Sequence, residues 1–574
     1  MRVCQVVPDI PSFAVDDGFS YLIPDEFAVS VGSRVRIRVS GRRMKGFVTA
    51  VLPGPPERKL LPIDGVVGTI GSFDEDTLPM LRWAATHYVS PLSTILKRTI
   101  PPNVPRLKHH DIEPLETADS LTTVIISDAR SQLGHVAASV EASISRAEGA
   151  LVIVPSVAEA EAIASGLTDI YGETVLLSSS ASENKDSTRS WERAANRTPT
   201  LLVGTRETMM WPVAHLTSAV VVEDGRRVMK SPSTPTLGVR EVLIARSQQE
   251  RFALTFIGPV PTLETIDLEP VIRAPAGRQW PLVEVVDRSH EPPSRTVLVE
   301  RTTTAISAAV RRNEPVFVLV PSRGYAPAFR CIACGELRRC SICETAAARK
   351  DECRRCGAEL STCTNCGKNR FEPLGAGIGS VRDAIARSIG SNVGVAGDHK
   401  LVTVGSERDL IGCQEVSLSV AVDIDGMAHA PTYRASEDAF RLLVRLAQLV
   451  GIGKGNRMVV QTADADQPIV AALRSGRSGA FLAGLMDERR ASNFPPFGEL
   501  IALEIDRAVP VGDAITTAIG DDARVLGPAP MRDRDRWLIQ GTDLTRARIA
   551  LRHVAGTLRD KGARVRIDVD PIDL

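Results

Sequence analysis

Residues 331–367 read CIACGELRRCSICETAAARKDECRRCGAELSTCTNCG, and they hold eight of the ten cysteines of a 574-residue chain. The eight form four C-x-x-C pairs: Cys331/Cys334, Cys340/Cys343, Cys353/Cys356 and Cys363/Cys366. A C-x-x-C turn presents two thiolates to one metal, and two such turns complete a tetrahedral Cys4 site, so the stretch predicts two closed Zn²⁺ sites per chain. Gly335, Gly357 and Gly367 each follow a second cysteine, where a positive φ lets the chain turn tightly. No histidine or carboxylate stands at ligand spacing, so the metal is expected to be structural. A disulfide framework would call for a secretory signal, which MRVCQVVPDIPSF does not resemble, and iron–sulfur clusters favour C-x2-C-x2-C runs. Spacing alone leaves two pairings open, adjacent or nested. Cys4 and Cys413 are read as buried apolar fillers.

Working outward, short apolar runs flank the cysteines on both sides. TVIIS, ALVIVP, TLLVGT, SAVVVED and FALTFIG, separated by helical stretches such as SVAEAEAIASGL, predict a parallel sheet covered by helices from about residue 121. PVFVLVP, KLVTVGS, VSLSVAVDIDG and RMVVQT repeat the rhythm beyond residue 300, with the cysteine stretch inserted into this second set. The first hundred residues alternate like strands in FSYLIP and SRVRIRVSGRRMKGFVTAVLPG, with a turn at Gly41, and DTLPMLRWAATHYV is helical. LIALEID, RWLIQG and ARVRIDVD suit a small terminal α+β domain.

Lys+Arg and Asp+Glu both total 69, so no net field draws the chain to polyanions, and any nucleic-acid contact must come from a local patch. The densest is Arg34, Arg36, Arg38, Arg42, Arg43 and Lys45, with two readings: a solvated strand face or a phosphate-contacting strip. With no apolar run near 20 residues and no signal peptide, the expected compartment is the cytoplasm, at the nucleoid, with no membrane partner.

Two tandem α/β lobes, a β-rich N-terminus and an inserted four-pair cysteine module resemble the primosomal protein N′ (PriA) family of bacterial replication-restart helicases. FSYLIP, GSRVRIRVSGRR, LRWAATHYVSPL, VGTRE, SRGYAP, GAGIGSV, PTYRASEDAFRLL, FPPF, VLGPAP and DVDPIDL carry the likeness along nearly the whole chain. The resemblance implies an α/β multidomain architecture. Its parts are an N-terminal 3′-DNA-end-binding domain (1–103), a linker (104–120) without the family's winged helix, and helicase lobe 1 (121–275). Lobe 2 (276–330 and 371–496), a two-zinc module (331–370) and a C-terminal domain (497–574) follow. It also implies nested metal pairing: Cys331, Cys334, Cys363 and Cys366 on one zinc, Cys340, Cys343, Cys353 and Cys356 on the other.

Against the family's pattern the motor is degraded. In IISDARSQLGH, Gln132 stands where a phosphate-loop lysine belongs and Leu133 where the Mg²⁺-binding hydroxyl belongs, and Ala129 and Ser131 replace glycines. Glu223 and Asp224 fall near the acidic box, but Val222 and Gly225 take the places of its first aspartate and its histidine. Gly258-Pro259-Val260 replaces Ser-Ala-Thr, and Ile452 and Gly455 replace the two arginines that stabilise the transferring phosphate. This pattern resembles the degenerate actinobacterial members. At the DNA end the resemblance puts Phe19 against a terminal base, Gly41 beside that nucleotide and Lys59 on its backbone, with Ser20 replacing an aspartate. Arg206 is a further candidate for backbone contact, and Arg338, Arg339, Arg354 and Arg355 could serve DNA or a protein. The expectation is a binding protein rather than an enzyme, without the groups that hold ATP. It would recognise branched or forked DNA and single strands, and recruit primosome and helicase-loader proteins, with single-stranded-DNA-binding protein a further partner. The alternatives are an active ATP-dependent 3′→5′ DNA helicase and a zinc-ribbon DNA-binding regulator.

Overall fold

In this computed structural model, the residues described are 2–53, 60–68, 71–101, 121–268, 270–273, 280–289, 298–320, 328–346, 351–353, 355–374, 377–430, 432–511 and 513–573. The expected linker 104–120, Lys59, Arg354 and the SRGYAP stretch from residue 322 lie outside them.

The N-terminal strands are β1 (Arg2–Pro8), β2 (Phe19–Ile23), β3 (Arg34–Val39), β4 (Arg42–Pro53) and β5 (Gly65–Val67), ordered β2-β1-β4-β3-β5 and antiparallel. Leu22 of β2 exchanges backbone hydrogen bonds with Leu61 and Ile63 at 2.9 and 3.1 Å, just ahead of β5, so the sheet closes into a small barrel. Closure removes the open edges, and alternation along each strand fills the interior with Cys4, Val6, Tyr21, Val35, Ile37 and Val48. The helix Leu78–His87 follows.

Lobe 1 is a parallel sheet of β6 (Thr122–Ile126), β7 (Gly149–Ile153), β8 (Val175–Ser178), β9 (Thr200–Gly204), β10 (Leu216–Val222), β11 (Ala253–Gly258) and β12 (Val271–Arg273), in the order β12-β6-β11-β10-β7-β9-β8. Its central strands β7, β9 and β10 are buried at every residue, as expected of a parallel sheet covered on both faces. Lobe 2 is a second parallel sheet, built from β13 (Leu282–Asp287) and β14 (Val316–Leu319) before the cysteine stretch. After it come β17 (Val393–Gly394), β18 (Val402–Gly405), β19 (Leu418–Ala421) and β20 (Arg457–Thr462). The cysteine stretch rises from lobe 2 on the antiparallel pair β15 (Ala328–Cys331) and β16 (Phe371–Leu374), as an insertion. The terminal domain is an antiparallel sheet of β21 (Glu499–Asp506), β22 (Arg524–Pro530), β23 (Arg534–Gly541) and β24 (Val565–Val569), packed by the helix Thr545–Asp560. The architecture is thus α/β multidomain: an N-terminal antiparallel sheet, two helix-covered parallel sheets, an inserted cysteine module and an antiparallel C-terminal domain.

The chain after β24 returns to the other domains. Lys230 of lobe 1 bonds Asp568 and the carbonyls of Val569 and Asp570 at 2.6–2.7 Å. Arg227 pairs with Asp573, Thr432 of lobe 2 donates to the Ile572 carbonyl at 2.8 Å, and His87 lies 3.4 Å from Asp570. Residues 568–573 therefore touch the N-terminal helix and both lobes. Among the described residues no helix is long and apolar enough to cross a membrane.

Candidate functional site

The eight clustered cysteines gather as two sets of four, Cys331/Cys334/Cys363/Cys366 and Cys340/Cys343/Cys353/Cys356, which is the nested arrangement. Their Sγ–Sγ separations of 3.5–3.7 Å are close to the edge of a tetrahedron with metal–sulfur bonds of about 2.3 Å, roughly 3.8 Å, so the donor sets fit Zn²⁺. Each knuckle closes the same way. The amides of Gly335, Glu344, Gly357 and Gly367 donate to the carbonyls of Cys331, Cys340, Cys353 and Cys363 at 2.9–3.0 Å. All four residues have positive φ, from 57° to 77°, so Glu344 adopts a conformation the other knuckles reserve for glycine. Arg338 is buried, stacks 3.9 Å over Phe371 and donates to the Leu360 carbonyl at 2.6 Å. It binds one half of the module to the other and is not available to DNA. Bound zinc would supply the cross-link that so short a segment, with a core of only a few side chains, lacks. Cys4 is fully buried as expected, but Cys413 is only half-buried, against the edge of the lobe 2 core.

On the barrel, Phe19 shares the inward-facing parity of Tyr21 and Ile23, but it begins its strand and leaves 41% of its surface exposed at the rim. Gly41 has φ +80° beside Ser40 at +49°, the two positive values a tight two-residue hairpin needs, and nothing lies within 4 Å of where a Cβ would stand. The basic run occupies this β3–β4 hairpin, and acids from elsewhere in the chain stand beside part of it. Asp9 pairs with Arg34 at 3.2 Å, and Asp64 with Arg38 and Arg43 at 3.2 and 3.6 Å; both acids come from other strand ends and are invisible to a local window. Arg36 stands directly across from Lys45, and no acid pairs with Arg36, Arg42 or Lys45 among the described residues. Like charges facing each other across a ladder destabilise it, which marks this half of the patch as positive at a cost.

Between the lobes, the segment after β6 is closed on itself. The Asp128 carboxylate accepts from the amides of Arg130 and Ser131 at 2.9 and 3.0 Å, and the Ala129 amide donates to Gln448 of lobe 2 at 3.3 Å. Amides that would cradle phosphate in a working loop are thus taken, one pair of them by a carboxylate that repels it. Gln132 bonds Glu223 at 3.2 Å, and Leu133 packs with the lobe 1 core. Glu223 is 5% exposed, has φ +49°, and faces Arg226 of lobe 1 at 3.1 Å and Arg445 of lobe 2 at 3.4 Å. Burial alone would raise its carboxyl, but Arg445 and Arg226 together hold it below the usual value. Glu159 and Glu407 complete the cluster, 3.3 and 3.0 Å from Arg226. Asp224 accepts hydroxyl bonds from Thr262 and Thr265.

A second buried cluster lies alongside. Glu264 of lobe 1 pairs with Arg434, Arg489 and Arg240, and Glu437 pairs with Arg441 and Arg489. Arg441 also donates to the carbonyls of Gly225 and Val260, and a Cβ at Gly225 would lie 2.3 Å from its guanidinium, so the residue there has no room for a side chain. Ile452 and Gly455 lie in an exposed loop outside this contact. The arginines that matter in the cleft, Arg434, Arg441, Arg445 and Arg489, escaped the sequence reading. The signal was present: Arg441 and Arg445 interrupt the apolar run of the helix Ala435–Gln448, and Arg434 stands at its N-cap, beside Glu437 and Asp438.

Comparison with known proteins agrees with this layout. Residues 5–101 match the family model described as 3′DNA-binding domain (3′BD), and residues 490–572 that of the primosomal protein N C-terminal domain. The chain is 22% identical over 567 residues to the replication restart protein PriA of Rickettsia prowazekii, covering 88% of this chain and 87% of that one. It is 23% identical to the probable replication restart protein PriA of Mycobacterium tuberculosis, covering 90% and 87%. The solved structure of RecG bound to a three-way DNA junction is similar at a TM-score of 0.37 with 10% identity, over 66% of this chain and 45% of that chain. Residues 5–101 are thus similar to a 3′ DNA-binding domain and residues 490–572 to a primosomal C-terminal domain. Along most of its length the chain is similar to replication restart proteins.

Proposed function

We propose that this protein binds stalled or branched DNA forks and assembles the helicase-loading machinery there without hydrolysing ATP. The observation that carries the second half is the filled cleft: Asp128 occupies the loop amides and Glu223 is neutralised between Arg226 and Arg445. Turnover of a phosphoryl group needs free loop amides, a lysine, Mg²⁺ and mobile cations. Here Gln132 and Leu133 offer neither charge nor metal ligand, and the cations already have carboxylate partners. The matched 3′ DNA-binding domain, the rim position of Phe19 and the open Gly41 turn support the first half.

In this reading Phe19 and Gly41 meet the 3′ end of a strand, Lys59 and the exposed part of the basic hairpin its phosphates, and the cysteine sets hold two structural Zn²⁺. The domain limits are those proposed from the sequence, and the protein works in the cytoplasm at the nucleoid, with loader proteins and single-stranded-DNA-binding protein as partners. Two assays on the purified protein test it: phosphate release with and without fork DNA, and binding to forks with and without a leading-strand 3′-hydroxyl. Fork-selective binding with no DNA-stimulated phosphate release is expected. Robust hydrolysis would favour the helicase, and equal affinity for linear duplex a general DNA-binding regulator.

A further inference from the structure

A cleft of about 140 Å³ opens where the N-terminal domain meets lobe 1, and Arg98 and Arg206 both line it. Arg98 belongs to the turn Lys97–Thr99 that ends the N-terminal domain; it is exposed, and no acid pairs with it among the described residues. Arg206 follows β9, and its guanidinium is pinned by the Val228 carbonyl at 2.8 Å and by Glu207 at 3.2 Å. Buried Met209 and Met210 line it too, as do Ser231 and Ser233, whose hydroxyls have no hydrogen-bond partner among the described residues. The Glu207 carboxylate also lines the cleft, but it accepts from Thr205 at 2.6 Å as well as from Arg206, so the charge left facing the opening is positive.

Two guanidiniums and two hydroxyls lining one cleft with buried thioethers suit a sugar–phosphate unit: the guanidiniums and hydroxyls can bond phosphate oxygens, and the thioethers can cover the deoxyribose. Nothing in the cleft reads a base. Among the described residues that line it, no aromatic ring can stack on a base and no amide side chain can match a base edge. We infer that Arg98 and Arg206 clamp one backbone phosphate of a DNA strand passing from the N-terminal domain onto lobe 1, independently of its sequence. This rests on the DNA-binding reading above and adds to it the path of the strand.

The test is fork binding by the full-length protein across a salt series, for the unmodified chain, Arg98→Ala, Arg206→Ala and the double variant. One phosphate contact contributes about 1 unit to the slope of log affinity against log salt. Each single substitution leaves the phosphate to the other arginine and should lower the slope by less than 1, and the double variant should lower it by about 1 in all, because both arginines hold the same phosphate. Arg98→Lys, which keeps the charge, should restore most of the slope, a result that loss of folding would not give. A fall of about 2 in the double variant would assign the arginines to separate phosphates and overturn the shared clamp. Unchanged slopes with intact fork binding would overturn the clamp and leave the fork reading standing. Absence of fork binding by the unmodified chain would remove both.

Discussion

Glu223→Gln removes the one fully buried carboxylate between Arg226 and Arg445 while keeping an oxygen that can accept a hydrogen bond. The two guanidiniums are only 6% and 9% exposed, and their remaining partners, Glu159 and Glu407, are partly solvated at 24% and 36%. One Arg445 nitrogen already lacks a hydrogen bond, so the substitution leaves a buried cation still less satisfied. Breaking a buried pair costs about 3–5 kcal/mol, and the surviving acids argue for the lower end. At 1.36 kcal/mol per decade, about 3 kcal/mol is a rise of roughly 150-fold in the opening of whatever the cluster holds shut. The cluster joins the lobes, so native-state hydrogen exchange should report the rise in the helix Ala435–Gln448 and in the loop at 128–131, and far less in the distant terminal sheet. A change below about threefold in those segments would refute the claim that this cluster fastens the lobes. The same variant serves as a control for catalysis, since phosphate release should be at background before and after the substitution.

The cysteine module should carry two Zn²⁺ per chain by elemental analysis, and Cys331→Ser should remove one and spare the Cys340 set; one zinc or iron in the unmodified protein would contradict the two-site reading. On the basic hairpin, neutralising Arg36 and Lys45 should flatten the salt dependence of fork binding by about 1 unit per contact. Arg34→Gln and Arg38→Gln should do less, because Asp9 and Asp64 already compensate those charges. Phe19→Ala should erase the preference for forks with a recessed 3′ end while leaving general affinity largely in place. The lobe contact should also weaken in acid. Burial would raise the Glu223 and Glu264 carboxyls, but their arginines hold both below the usual 4.5, so their stabilisation is complete above that value and is lost as pH falls below it. Hydrogen exchange of the inter-lobe segments from pH 6 to pH 3 should show this loosening, and Glu223→Gln should blunt it.

The cysteine pairs, the two parallel sheets and the hairpin at Gly41 were legible because each rests on a local rule: ligand spacing, buried apolar runs, turn chemistry. Strand β13 was not picked out, since Leu282–Asp287 is an edge strand carrying Glu284. A phenylalanine in a strand is most often buried, and only its place at the first position of a strand exposes Phe19. The loss of the phosphate loop could be read from Gln132 and Leu133, but what replaced it could not. Asp128 is one more loop acid until its carboxylate is seen on two amides, and Arg445 and Glu223 are separated by more than two hundred residues. Ion pairs over such distances obey no sequence period. The same holds for Asp9 and Asp64, whose absence from the immediate neighbourhood made the basic strip look more naked than it is.

The contacts of residues 568–573 have a bearing on how the protein is made. Lys230, Arg227, Thr432 and His87 are all synthesised long before the segment they hold. While the ribosome is still translating, each lobe can complete its own sheet and the ion pairs between the lobes can form, but the bonds of residues 568–573 to His87, lobe 1 and lobe 2 must wait for that segment to emerge. A chain lacking residues 568–573 would thus keep the ion pairs between the lobes and lose the bonds that this segment makes to three parts at once, opening the surfaces around Lys230 and Thr432 to proteases.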